Sequence, residues 1–124
     1  VAGVKILIID QVGFLQQAYQ NALAAFVGGT LFQEYGGHNC LEPAAFGVPV
    51  FHGPYFLDQL ENTHALLRNG GSKIINSAAE FVAEVEKMLL FPADKNRIAQ
   101  KCLETVQEES RAMGELRKDH FFEK

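Results

Sequence analysis

The residues best suited to chemistry lie where glycines open the backbone. Gly36-Gly37-His38-Asn39 runs into a stretch that reads as a short helix, beginning near Asn39 and ending before Gly47. Glycines let a backbone approach a ligand closely, and the N–H groups at a helix start, with their partial positive charge, suit a phosphate. Three glycine-bearing turns follow expected strands: Asp10 to Gly13, Gly28-Gly29 with the loop to His38, and His52-Gly53-Pro54. In an open parallel sheet, ligands bind beyond the carboxyl ends of the strands, so convergence of these turns on one rim is the informative expectation. No Gly-Lys-Ser/Thr follows the glycines and no GxGxxG occurs, which excludes the usual NTPase and dinucleotide fingerprints.

The individual side chains admit more than one role. Asn39 and Glu42 have the spacing of a helix capping pair, which needs no ligand, although Pro43 complicates it because it has no N–H. His38 is a proton donor, a phosphate partner or a hydrogen-bonded loop histidine. His52 serves its turn, whereas His64 and His120 fall in helical stretches and read as surface residues. Cys40 reads as a small space-filler. Asp10 is a turn residue or a functional one. Tyr35 and Phe32 either stack on a base or pack beneath the loop.

These residues need a scaffold, and the alternation of patterns supplies one. Val4 to Ile9 is a short, β-branched apolar run that reads as a buried strand. Leu15, Ala18, Tyr19 and Leu23 recur at helical spacing, and Ala24 to Val27 forms the next apolar run. Val48 to Phe51 reads as a third strand, with Pro49 tolerated at its beginning. Asp58 to Arg68 reads as a helix closed by Asn69-Gly70-Gly71, and Lys73-Ile74-Ile75 as a fourth strand. Ser77-Ala78-Ala79-Glu80 is a capping box, followed by an apolar face of Phe81, Val85, Met88 and Leu89. A break at Phe91 to Asp94 places a new cap at Asp94, and Ile98, Cys102 and Val106 share one side of the helix beyond it. Strands alternating with helices predict a Rossmann-like α/β fold, a parallel sheet with flanking helices. The expected domain spans 1–110, truncated on its N-terminal side, with a charged helix or tail over 111–124.

Bulk properties narrow the function. With 48% hydrophobic and 21% charged residues the 124-residue chain has ordinary globular composition. A net charge of −4 gives no basic surplus, so no nucleic-acid partner is expected. The two cysteines, Cys40 and Cys102, lack metal-ligand spacing, so no metal site is expected. No apolar run reaches the roughly 18 residues of a membrane span. The chain starts at Val1 and enters a strand almost at once, which reads as a segment excised from something longer.

The longer string Gly36-Gly37-His38-Asn39-Cys40-Leu41-Glu42-Pro43-Ala44-Ala45-Phe46-Gly47-Val48-Pro49-Val50 is far more specific than its phosphate-loop start. It resembles the signature of the 3-deoxy-manno-octulosonic acid (Kdo) transferases, GT-B glycosyltransferases that usually read GGHNPLEPA followed by G-x-P-V. Phe26 to Leu31 resembles that family's FVGGSL segment, Asp10 to Leu15 its D-T-x-G-E-L segment, and Phe51 to Pro54 its F-G-P turn. The resemblance covers about residues 6–75. Cys40 stands where the family has Pro, and Gln11 and Phe14 where it has Thr and Glu.

The resemblance implies the donor-binding part of a C-terminal GT-B domain. Gly37, His38 and Asn39 would face the donor phosphate or sugar, with Gly36 in the same loop. Glu42 would take a ribose or donor hydroxyl, and Gly13, Gly28 and Gly29 would line the cleft. The donor would be CMP-Kdo and the acceptor a lipid A precursor in lipopolysaccharide biosynthesis, with no cofactor. The catalytic base and the acceptor site would lie on an N-terminal domain outside this chain, leaving no catalytic residue here and no activity alone. Membrane association at the cytoplasmic face of the bacterial inner membrane would come through that other region. A partial Rossmann unit exposes a sheet edge, so the chain is expected to self-associate or to cover the edge with its own tail. The alternatives are a non-catalytic nucleotide- or phosphate-binding module, or another GT-B enzyme such as a hexosyltransferase or sugar-nucleotide epimerase.

Overall fold

The computed structural model describes residues 15–28, 40–55 and 60–122, with side chains of the last helix described as far as 112. The expected Val4 to Ile9 strand and the Asp10 to Gly13 turn lie outside the described residues. In chain order the elements are α1 (Leu15–Gln20), β1 (Ala25–Val27), α2 (Leu41–Ala44), β2 (Val50–His52), α3 (Leu60–Asn69), β3 (Ser72–Ile74), α4 (Ala78–Leu90) and α5 (Pro92–Phe122). The strands form a parallel sheet of order β1-β2-β3, with Ala25 registered on Val50 and Val50 on Ser72.

Side chains alternate across a strand, so each face of the sheet has its own core. Val27 and Val50 meet Cys40, Ala44, Leu66 and Cys102, with Leu41 and Val106 packed around them. This face is covered by α2, α3 and α5. Phe51 joins Ile75 and Met88 on the other face, against Phe81 and Val85 of α4. Phe81 meets Phe26 and Phe51 edge-on at 6.0 and 5.5 Å. The middle strand β2 is buried along its whole length because both of its faces are covered.

The glycines at the amino end of β3 do different work. Gly70 has φ +85°, a left-handed conformation that favours glycine and ends α3. Gly71 is held by space: a Cβ there would lie 3.1 Å from both Cys102 Sγ and Leu66 Cδ2. Cys102 Sγ also donates to the carbonyls of Gly71 at 3.1 Å and Val48 at 3.5 Å. Burial pushes that thiol up to about 12.

Ser77 caps α4 as expected. Its hydroxyl accepts from the Glu80 N–H at 3.2 Å, and the Glu80 carboxylate accepts from the Asn76 N–H at 2.9 Å. Helix α4 stops at Leu90 because Pro92 excludes helical geometry at Phe91.

Several boundaries differ from the sequence reading. Leu23 lies beyond α1, which has already turned at Asn21 and Ala22. The third strand starts at Val50 and includes His52, because Pro49 has no N–H and supplies only a carbonyl, to Ala25 N. The fourth strand starts at Ser72 and ends at Ile74. Leu89 is 63% exposed, since it sits roughly 80° around the helix from Phe81 and leaves the stripe that Met88 keeps. The last helix begins at Pro92, not at a cap on Asp94. Proline suits a first helical position, and Asp94 pairs with Arg97 at 3.4 Å inside the first turn. From there α5 runs to Phe122.

Candidate functional site

The carboxyl ends of β1, β2 and β3 open on one rim, at Gly28, at Gly53-Pro54 and at Ile75-Asn76. A crossover between parallel strands must run back against them, and the chain re-enters β2 through α2, whose Pro43 carbonyl accepts from the Val48 N–H at 3.2 Å. Cys40 occupies its N-cap position with no side-chain cap, and Glu42 is second in the helix. The Asn39/Glu42 capping box does not fit this start, because its third position is Pro43. Glu42 is exposed and free to face a ligand or solvent.

Of the residues singled out in the sequence, Gly28 and Glu42 are the two donor-site candidates that fall within the described segments. Gly13, Gly29, Gly36, Gly37, His38 and Asn39 lie outside them, as do Asp10, Phe32 and Tyr35. Gly28 follows β1 directly, and a Cβ built on it would meet nothing within 4 Å. Among the described residues, packing therefore does not require glycine there.

Glu42 lines a recess of about 260 Å³ with Leu15, Tyr19, Ala45 and Phe46. The Tyr19 and Phe46 rings lie 5.9 Å apart at 34° and form an apolar wall. Burial pushes the Tyr19 phenol up, reinforced by the negative charges of Glu42 and Cys40. One carboxylate beside aromatic walls can accept hydrogen bonds from hydroxyls while the rings cover an apolar surface. Helical spacing of Leu15 and Tyr19 was legible, but their meeting with Phe46 across two helices had no local signal.

Cys40 is fully buried, and desolvation raises its thiol, which fits the space-filling reading. Thr63, also fully buried, lies beside it, and its hydroxyl draws the thiol part of the way back down. His52 does serve its turn: Nδ1 lies 2.9 Å from the Gly53 carbonyl. Its Nε2 also lies 3.1 Å from Ser72 Oγ, a link that the sequence did not signal. His64 is exposed on α3 as expected, near Glu61, Arg68 and Glu109. A second recess of about 230 Å³, lined by Phe26, Ile75, Ser77, Ala78 and Phe81, lies between the sheet and α4. Among the described residues, no group of three or more His, Cys, Asp or Glu side chains could hold a metal ion. No helix among them is long and apolar enough to cross a membrane.

The parallel sheet with helices on both faces defines a Rossmann-like α/β domain. The fold matches the crystal structure of the C-terminal CMP-Kdo binding domain of WaaA from Acinetobacter baumannii, with a TM-score of 0.74 and 26% identity over 80% of this chain and 51% of that one. The chain is a relative of the 3-deoxy-D-manno-octulosonic acid transferases and corresponds to part of their C-terminal domain. It is 36% identical over 95 residues to the enzyme of Chlamydophila psittaci, covering 77% of this chain and 22% of the relative. It is 33% identical over 84 residues to that of Aquifex aeolicus, covering 68% and 24%. With the enzyme of Haemophilus influenzae it shares 32% over 113 residues, covering 90% and 26%. The chain thus spans about a quarter of the length of these relatives. No protein-family model matches it.

Proposed function

We propose that this chain is the donor-binding part of a Kdo transferase, which takes CMP-Kdo at the carboxyl rim of its sheet and contributes to Kdo transfer onto a lipid A precursor in lipopolysaccharide biosynthesis. The observation that carries this reading is the structural match to a CMP-Kdo binding domain, reinforced by Kdo-transferase relatives that cover up to 90% of the chain. Gly36, Gly37, His38 and Asn39 form the phosphate and sugar loop at the start of α2. Glu42 accepts from a donor hydroxyl, and Gly13, Gly28 and Gly29 leave room for the nucleotide.

Backbone amides and the helix start stabilise the departing phosphate by preorganised electrostatics, with no resident cofactor. The base that activates the acceptor hydroxyl lies on the other GT-B domain, so this chain does not transfer Kdo alone. Placement at the cytoplasmic face of the inner membrane, and the acceptor itself, belong to that larger assembly. Titration of the purified chain with CMP and with UDP tests the reading. Preferential binding of CMP is expected, and preference for UDP or absence of nucleotide binding overturns it. Measurable Kdo transfer by the purified chain would overturn the division of labour between the domains.

A further inference from the structure

His52 ends β2 at the ligand rim, and its side chain is fully buried. Both ring nitrogens are engaged. Nδ1 lies 2.9 Å from the Gly53 carbonyl, which can only accept, so Nδ1 carries the hydrogen. Nε2 lies 3.1 Å from Ser72 Oγ, and in the neutral ring it accepts from that hydroxyl. Ser72 opens β3, and the Ile75 N–H donates to the His52 carbonyl at 2.8 Å, so one residue links the end of β2 to both ends of β3. Burial favours the neutral ring.

The consequence falls on the next peptide. Gly53 lacks a Cβ, so its carbonyl can take more than one direction within the limits that Pro54 sets on the residue before it. Pro54 fixes the following φ and offers no N–H. A carbonyl oxygen turned out at this rim would set a partial negative charge beside an anionic ligand. Held by His52, it is turned into the sheet, and Pro54 and Tyr55 emerge exposed beyond it.

We propose that His52 is a positioning residue of the donor site, drawing the Gly53 carbonyl inward so that this peptide turns no carbonyl charge toward the anionic donor. This rests on the donor-binding reading above for its ligand, though not for its geometry. The test compares the parent chain with His52→Asn and His52→Gln. An asparagine amide can give an N–H from about the place of Nδ1, whereas a glutamine amide reaches the place of Nε2.

Imidazole nitrogen NMR of the parent is expected to show the Nδ1–H tautomer. For CMP, His52→Asn should stay within about threefold of the parent and His52→Gln should lose about tenfold, the worth of one charge-sensitive hydrogen bond. For uncharged cytidine the two variants should bind alike. The Tyr55 amide resonance should move in His52→Gln and stay in place in His52→Asn. An Nε2–H tautomer, equal losses for CMP and cytidine, or parent-like CMP binding by His52→Gln overturns the proposal. A parent that binds neither ligand sinks the donor reading and the electrostatic role together. In that case the tautomer and the Tyr55 shift still decide whether His52 holds the turn.

Discussion

Gly71 at the amino end of the sheet and Gly28 at its carboxyl end sit in opposite surroundings. At the amino end, Gly71 is wedged against Leu66 and Cys102 and bonded to the Cys102 thiol. At the carboxyl end, a Cβ on Gly28 would meet nothing within 4 Å among the described residues. Gly71 thus marks a close-packed seam and Gly28 an exposed position. Close packing leaves no room to move without cost, so a substitution at Gly71 meets resistance that one at Gly28 does not meet among the described residues.

Substitutions can break this contrast. Leu66→Ala removes a large, fully buried side chain and should cost about 3 kcal/mol in urea unfolding, with a loss below 1 kcal/mol showing that the seam is loose. Gly71→Ala should cost about 2 kcal/mol by overpacking. The double variant Leu66→Ala/Gly71→Ala should cost less than the sum, because the shortened residue 66 vacates one of the atoms at 3.1 Å. Strict additivity would show that Cys102 alone enforces the glycine.

The Cys102 thiol sharpens the comparison through pH. It keeps its proton in the fold to about 12, while the unfolded thiol loses it near 9. The folded protein then binds more protons than the unfolded chain over this window. Its contribution is therefore full below pH 9 and declines as pH rises toward 12, at up to about 1.4 kcal/mol per pH unit. Cys102→Ala should flatten the stability profile over that range relative to the parent, and parallel profiles would contradict the burial.

Smaller effects follow. Ser77→Ala should cost about 1 kcal/mol by losing the cap of α4. Gly28→Ala should change stability by less than about 0.5 kcal/mol while weakening CMP binding, since its added methyl meets nothing but the space assigned to the ligand. A loss of stability as large as that of Gly71→Ala would erase the distinction between the two ends.

Much of the architecture was readable residue by residue. The Ser77/Glu80 cap, the Phe81, Val85 and Met88 stripe, and the Cys102 and Val106 side of the last helix all follow local rules of spacing. The misjudged points were boundaries. Pro92 was read as part of a break, although proline is at home in a first helical turn. Leu89 was counted in the stripe, although one residue of drift carries it to solvent. At the candidate site, the glycine string identified the region and its relatives, whereas the wall that Tyr19 and Phe46 build beside Glu42 emerged from two helices meeting.

The order of strands and helices, the glycine-rich turns and the kinship to Kdo transferases are properties of the linear chain, because periodicity and turn chemistry act over a few residues. Which glycine is packed and which is open, the bond of His52 to a serine 20 residues away, and the grip of Cys102 on carbonyls 31 and 54 residues distant were settled by the tertiary structure. Those contacts exist only once parallel register and the helical crossovers bring remote segments within hydrogen-bond range, and no local pattern encodes that distance.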